Sequence, residues 1–207
     1  QMTVEGIANV TPEDIAFARE FGYRIKLLGV ARQGPDGVDQ RVHPAMVKLG
    51  TPLADVDGAF NAVLADAGQA GPFFFSGRGA GQAPTASAVI ADIVDIARGA
   101  IGPAFGRPAR ALEVTRPAPR SARASAFYLR FQALDVPGVL AEIAARLARA
   151  KVSIESMIQR GPAFGESVAI VMITHPCAPI SVESALKDIA ASDKILDAPT
   201  LIHMEPA

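Results

Sequence analysis

Along the first third of the chain, apolar and polar positions alternate most clearly over "YRIKLLGVAR". Tyr23, Ile25, Leu27 and Gly29 fall on one face and Arg24, Lys26, Leu28 and Val30 on the other, which predicts a strand with one mixed face. Ahead of it, Thr11-Pro12-Glu13-Asp14 sets a capping hydroxyl before a proline suited to the first helical position, with a carboxylate three residues on. That spacing predicts a helix over Pro12 to Phe21, ended by Gly22. "GPDG" at Gly34 to Gly37 predicts a turn, and "QRVHPAMVKLG" a second strand, so the pair reads as a hairpin whose Pro44 implies an edge or a bulge. "ADVDGAFNAVLADAG", Ala54 to Gly68, is expected to be a short helical or turn segment. Phe73 to Gly99 then reads as a short apolar strand, a glycine-rich turn and a long alanine-rich helix.

That last order is how a dinucleotide-binding unit begins, but Gly77, Gly79 and Gly81 lack the spacing of the phosphate fingerprint, and no second apolar strand follows the helix. Two readings of the turn remain: a helix N-terminus suited to an anionic group, or a turn that only packs strand against helix.

A regular pattern returns near residue 125. Phe127, Leu129 and Phe131 alternate with Tyr128, Arg130 and Gln132 in a strand. Asp135-Val136-Pro137-Gly138 turns into a helix carrying Val139, Leu140, Ile143, Ala144 and Leu147 on one face. Strands around Val152 to Gln159 and Val168 to Thr174, a helix from Ile180 to Ala191 and the closing strand "TLIHME" complete a β-α-β-β-α-β order, the split βαβ of ferredoxin-like type. The fold class expected is α+β. Between the two patterned stretches, prolines and Arg107, Arg110, Arg116, Arg120 and Arg123 stand against a single carboxylate, Glu113. This reads as an extended, solvated linker, giving a division into 1–101, 102–124 and 125–207.

Composition narrows the function classes. Half of the 207 residues are hydrophobic and 20% charged, a globular balance, and the formal net charge of −1 with no tryptophan gives no basis for a nucleic-acid partner. No apolar run approaches the ~20 residues of a membrane span and "QMTVEGIANV" lacks the regions of a signal peptide, so a cytoplasmic location is expected. The single Cys177 reads as a small buried side chain. His43, His175 and His203 have no metal-ligand spacing, so no metal is expected; Ser76 and Ser87 lie in no nucleophile pattern, and Asp55 and Asp57 read as solvated.

"DVPGVLAEIAARLARAKVSIESM", Asp135 to Met157, resembles an ACT domain. The resemblance implies a small amino-acid ligand at the turn between first strand and helix, with Asp135, Gly138, Val139, Leu140 and Ile154 as effector-binding residues. Gly138 permits close approach and the helix N–H groups hold a carboxylate. "VEGI", "TPEDIAFAREFGYRIKLLG", "NAV" and "SGRGAGQAPTASAVIADI" together look like the latter part of the homoserine dehydrogenase catalytic and dimerisation region, a mixed-sheet fold. That family interconverts homoserine and aspartate semialdehyde with NAD or NADP on the route to threonine and methionine. Its Rossmann domain and its Asp-x-x-Gly-x-Asp-x-x-x-Lys motif have no counterpart here. The resemblance therefore implies a C-terminal portion whose catalytic residues lie upstream of Gln1 and which is inactive alone; Lys26 and Lys48 read as strand-face lysines, not substitutes. Gly79, Ala80, Gly81 and Thr85 are the expected cofactor contacts, with Thr85 also a candidate helix cap. A dimer or tetramer and threonine as effector follow from the same resemblance. The alternative is a non-catalytic, amino-acid-binding regulatory or assembly protein.

Overall fold

The computed structural model describes residues 2–100, 102–103, 105–119, 124–160 and 167–205. Packing divides the chain into two units, Gln1–Leu49 with Arg116–Ala207, and Gly50–Thr115.

In the larger unit, a short strand β1 (Thr3–Val4) precedes helix α1 (Pro12–Glu20). The Thr11 hydroxyl accepts from the Asp14 N–H while the Asp14 carboxylate accepts from the Thr11 N–H, the reciprocal cap expected from the sequence. Strands β2 (Tyr23–Gly34) and β3 (Gly37–Lys48) form a long antiparallel hairpin closed at Gly34 and Gly37. Beyond the linker come β6 (Ala126–Leu134), α3 (Val139–Arg149), β7 (Ile154–Arg160), β8 (Ser167–Thr174), α4 (Pro179–Ala190) and β9 (Thr200–Glu205), the expected β-α-β-β-α-β order. The turn "RGPAFGE" lies mostly outside the described residues.

These strands make one sheet in the order β1-β3-β9-β6-β8-β7, with β2 on the other side of β3. Pro44 is thus neither at an edge nor at a bulge: β3 is paired on both sides and its register with β2 runs unbroken through Leu27 and Pro44. The missing N–H is tolerated because Pro44 falls where the second neighbour changes, between Arg41 and Val42 beside β1 and Ala45 to Val47 beside β9.

Both faces of the sheet are covered. One face packs Phe127, Leu129 and Phe131 of β6 with Ile143 and Leu147 of α3 and Val182 and Ile189 of α4. The other packs Tyr128, Val171, Met46 and Ile202 with Phe17 and Ala18 of α1. Strand β8 is accordingly buried along almost its whole length, the apolar run of a strand covered on two sides. Cys177 is buried as expected, and burial pushes its thiol up.

The linker is not wholly extended into solvent. The Val38 N–H donates to the Arg116 carbonyl (2.9 Å) and the Ala118 N–H to the Val38 carbonyl (3.0 Å). A Cβ on Gly37, whose φ is +123°, would overlap the Arg116 carbonyl, so glycine is required there by this close approach.

The smaller unit corrects one expectation. The segment expected to be helix or turn contains strand β4 (Phe60–Asp66), paired antiparallel with β5 (Pro72–Arg78), and helix α2 (Gln82–Ala97) follows. No residue of β5 or α2 is buried. Val63 and Phe75 oppose each other on one face of the hairpin and Leu64 and Phe74 on the other, and all four are exposed.

Candidate functional site

The glycine-rich turn joins β5 to α2. The Gly79 N–H donates to the Ala59 carbonyl (2.9 Å), and a Cβ on Gly79 would overlap the side-chain amide of Asn61. Gly79 therefore packs closely against Asn61 of β4 and spends its N–H within the smaller unit. Gly81 occupies the position before the first helical residue with φ +126° and no side-chain cap. The Thr85 N–H donates to the Gly81 carbonyl (3.1 Å), which makes Thr85 the fourth helical residue and not a cap. Ala80 and Gly81 are exposed, and Gln82 and Ala83 carry the orphan N–H groups of the helix start. These backbone groups fit one anionic ligand group; Gly79 contributes shape but not its N–H.

The second candidate lies between β6 and α3. Gly138 adopts φ +92°, ψ −13° ahead of Val139, with no side-chain cap, and the space beside its Cα is open. The Glu142 N–H returns to the Gly138 carbonyl (2.9 Å), so the helix geometry leaves Leu140 and Ala141 N–H groups without intrahelical acceptors. Asp135 is half-buried and accepts from Gln159 Nε2 of β7 (3.4 Å). Val139 is buried, and Leu140 and Ile154 pack with it at the margin of the core. Asp135, Gly138, Val139 and Leu140 thus surround one turn, and Ile154 begins the strand that supplies Gln159. A carboxylate, a left-handed glycine and unspent helix N–H groups can address both ends of an amino acid.

Sequence reasoning missed two buried charge clusters. Asp14, besides capping α1, accepts from Tyr128 Oη (2.9 Å) and Arg130 Nε (2.6 Å), and Arg130 also donates to Thr200 Oγ1 (3.1 Å). Burial pushes the Asp14 carboxyl up, but the hydrogen bonds from Arg130, Thr11 and Tyr128 outweigh it and hold the carboxyl below its usual range. On the other face, Glu205 meets Arg32 (2.8 Å), Arg41 (3.0 Å) and His43 (3.3 Å). Burial pushes this carboxyl up as well, and His43, Arg41 and Arg32 overcome it and leave it lowered. Residues 173 positions apart meet in the Glu205–Arg32 pair, so no local pattern signals it. Among the described residues no group of His, Cys, Asp and Glu has the arrangement of a metal site, and no helix is long and apolar enough to cross a membrane.

The chain is similar to known proteins over nearly its whole length. The homoserine dehydrogenase family model matches residues 1–94 and the ACT domain model residues 127–193. Homoserine dehydrogenase of Neisseria gonorrhoeae is 42% identical over 98% of this chain and 48% of its own length. That of Helicobacter pylori is 37% identical over 99% of this chain and 48% of its own. The solved homoserine dehydrogenase of Thiobacillus denitrificans superposes with a TM-score of 0.85 at 40% identity, over 99% of this chain and 47% of that one. The chain spans about half the length of the curated relatives it matches. It belongs to the homoserine dehydrogenase family, where it corresponds to the C-terminal region and its ACT domain.

Proposed function

We propose that this chain is the dimerisation and effector-binding portion of a homoserine dehydrogenase, acting with a nucleotide-binding half to interconvert homoserine and aspartate semialdehyde. The carrying observation is the smaller unit: a hairpin apolar on both faces and a helix exposing Val89, Ile90, Ile93 and Ile96. Surfaces of this kind mark interaction sites, and the matched relatives carry about as much sequence again. The turn at Ala80 and Gly81 would then offer backbone to NAD or NADP, whose nicotinamide supplies the hydride chemistry when bound. Within this chain, residues 1–101 close the catalytic region, 102–124 link and 125–207 regulate. The purified chain alone is expected to oxidise no homoserine. Joined with the N-terminal half of a relative it is expected to turn over, followed by reduced-cofactor absorbance. Turnover by the chain alone overturns this division of labour, and a bound but inactive second half overturns the activity.

The ACT turn gives the regulatory half of the reading, with threonine as the ligand at Asp135 to Leu140 and a dimer or tetramer as the assembly. Threonine at about 100 times its dissociation constant is expected to raise unfolding stability by about 2.7 kcal/mol if it binds only the folded state. Gly138→Val should abolish that gain, because its side chain would fill the open space beside the turn and strain a left-handed backbone. Absence of both heat and a shift in melting temperature with threonine, isoleucine and methionine would leave the ACT unit an assembly module.

A further inference from the structure

Where the β2–β3 hairpin turns, Ala118 and Pro119 lie over it and enclose a hollow of about 210 Å³. Its wall carries Arg32 from β2 and Arg41 from β3, with Asp36 in the turn and Asp39 at the start of β3. The volume is below the ~300 Å³ at which pockets for drug-sized ligands begin, so a small metabolite fits and a mononucleotide does not. The roof is fixed by the hydrogen bonds between Val38 and the Arg116 to Ala118 segment, so the hollow belongs to the packed unit.

Arg41 is its most informative group. The side chain is nine-tenths buried, ion-paired with Glu205 (3.0 Å) and more loosely with Asp39 (3.5 Å), yet its Nε has no hydrogen-bond acceptor among the described residues. That Nε is closed off from the hollow, so a ligand carboxylate would meet Arg41 through the exposed tenth of its side chain, with the more exposed Arg32 on the same wall. Asp36 and Asp39 on the same wall repel a second anionic group and attract an ammonium. We propose that this hollow binds a small zwitterion, a free amino acid whose carboxylate accepts from Arg41 and whose ammonium meets Asp36 and Asp39. The site is separate from the Gly138 turn and does not depend on what that turn binds.

Backbone amide NMR of the full chain, titrated with glycine, L-alanine and L-threonine to millimolar concentrations, tests this. The Gly34 and Gly37 signals are expected to shift in the wild type and in Gly138→Val alike. Affinity should fall about tenfold or more in Asp36→Asn/Asp39→Asn and in Arg41→Gln, the scale of a lost charge-assisted contact. Acetate and methylammonium, each carrying half of the zwitterion, should bind at least about tenfold more weakly than glycine. Arg41→Gln strips Glu205 of a partner and risks unfolding, so the doubly substituted aspartate variant keeps the test open. Amino-acid shifts confined to residues around Gly138, shifts at the hairpin unchanged in the aspartate variant, or acetate binding as tightly as glycine would each overturn the proposal.

Discussion

Asp14→Ala should destabilise the larger unit by about 3 kcal/mol or more, the cost of removing one member of a buried, hydrogen-bonded ion pair. The loss has three parts. Arg130, which is mostly buried, loses its carboxylate; the buried Tyr128 hydroxyl loses its acceptor; and α1 loses half of its reciprocal cap, worth about 1 kcal/mol by itself. Asp14→Asn, which keeps the shape but not the charge, should fall between wild type and Asp14→Ala. The direction of the pH dependence is fixed by the lowered carboxyl. Its stabilising contribution is fully present above the unfolded aspartate value of about 3.9 and is lost as pH falls through the folded value. The stability gap between wild type and Asp14→Asn in urea titrations should therefore be constant near neutrality and shrink below about pH 4. A gap that widened on acidification would mean that the carboxyl is raised, with burial outweighing its partners.

Phe131→Ala should cost about 3–5 kcal/mol, because the ring is fully buried between the sheet and helices α3 and α4 and its removal leaves a cavity that close-packed neighbours refill only in part. Phe75→Ala makes the comparison informative: at protein concentrations low enough to keep the chain monomeric, the same deletion at a side chain 61% exposed should change its stability by no more than about 0.5 kcal/mol. Equilibrium unfolding of both variants at several protein concentrations checks this. A large, concentration-dependent loss for Phe75→Ala would show that copies of the chain cover one another's hairpins in solution.

What the sequence made legible was local chemistry. Thr11, Pro12 and Asp14 specify the start of α1 within one turn, and the α3 face of Val139, Ile143 and Leu147 has a period that only a helix satisfies. The order of the ACT elements followed from such signals, and so did the hairpin closed at Gly34 and Gly37. Strand β4 was obscured because Phe60, Val63 and Leu64 spread over both faces of a hairpin, leaving no clean alternation to read. Tyr128 and Arg130 sat on what looked like the polar face of β6; the structure buries Tyr128 because α1 covers that face too. Of the candidate sites, the residues around Gly138 are neighbours in sequence and were found together. The cluster around Glu205 joins residues from opposite ends of the chain, and only the tertiary pairing assembles it.

Strand β9 sits between β3 and β6 in the middle of its sheet, although the ribosome makes it after every other strand there. While the chain is being synthesised, the early hairpin and the first three ACT strands must wait with their facing edges unpaired, and Arg32, Arg41 and His43 wait for Glu205. Domains completed early in synthesis can fold as they emerge, but this sheet can close only when residues 200–205 have left the exit tunnel. A nascent chain arrested before Thr200 would therefore present two open strand edges to chaperones, and a premature stop a few codons upstream would cost both the ACT unit and the hairpin beside it.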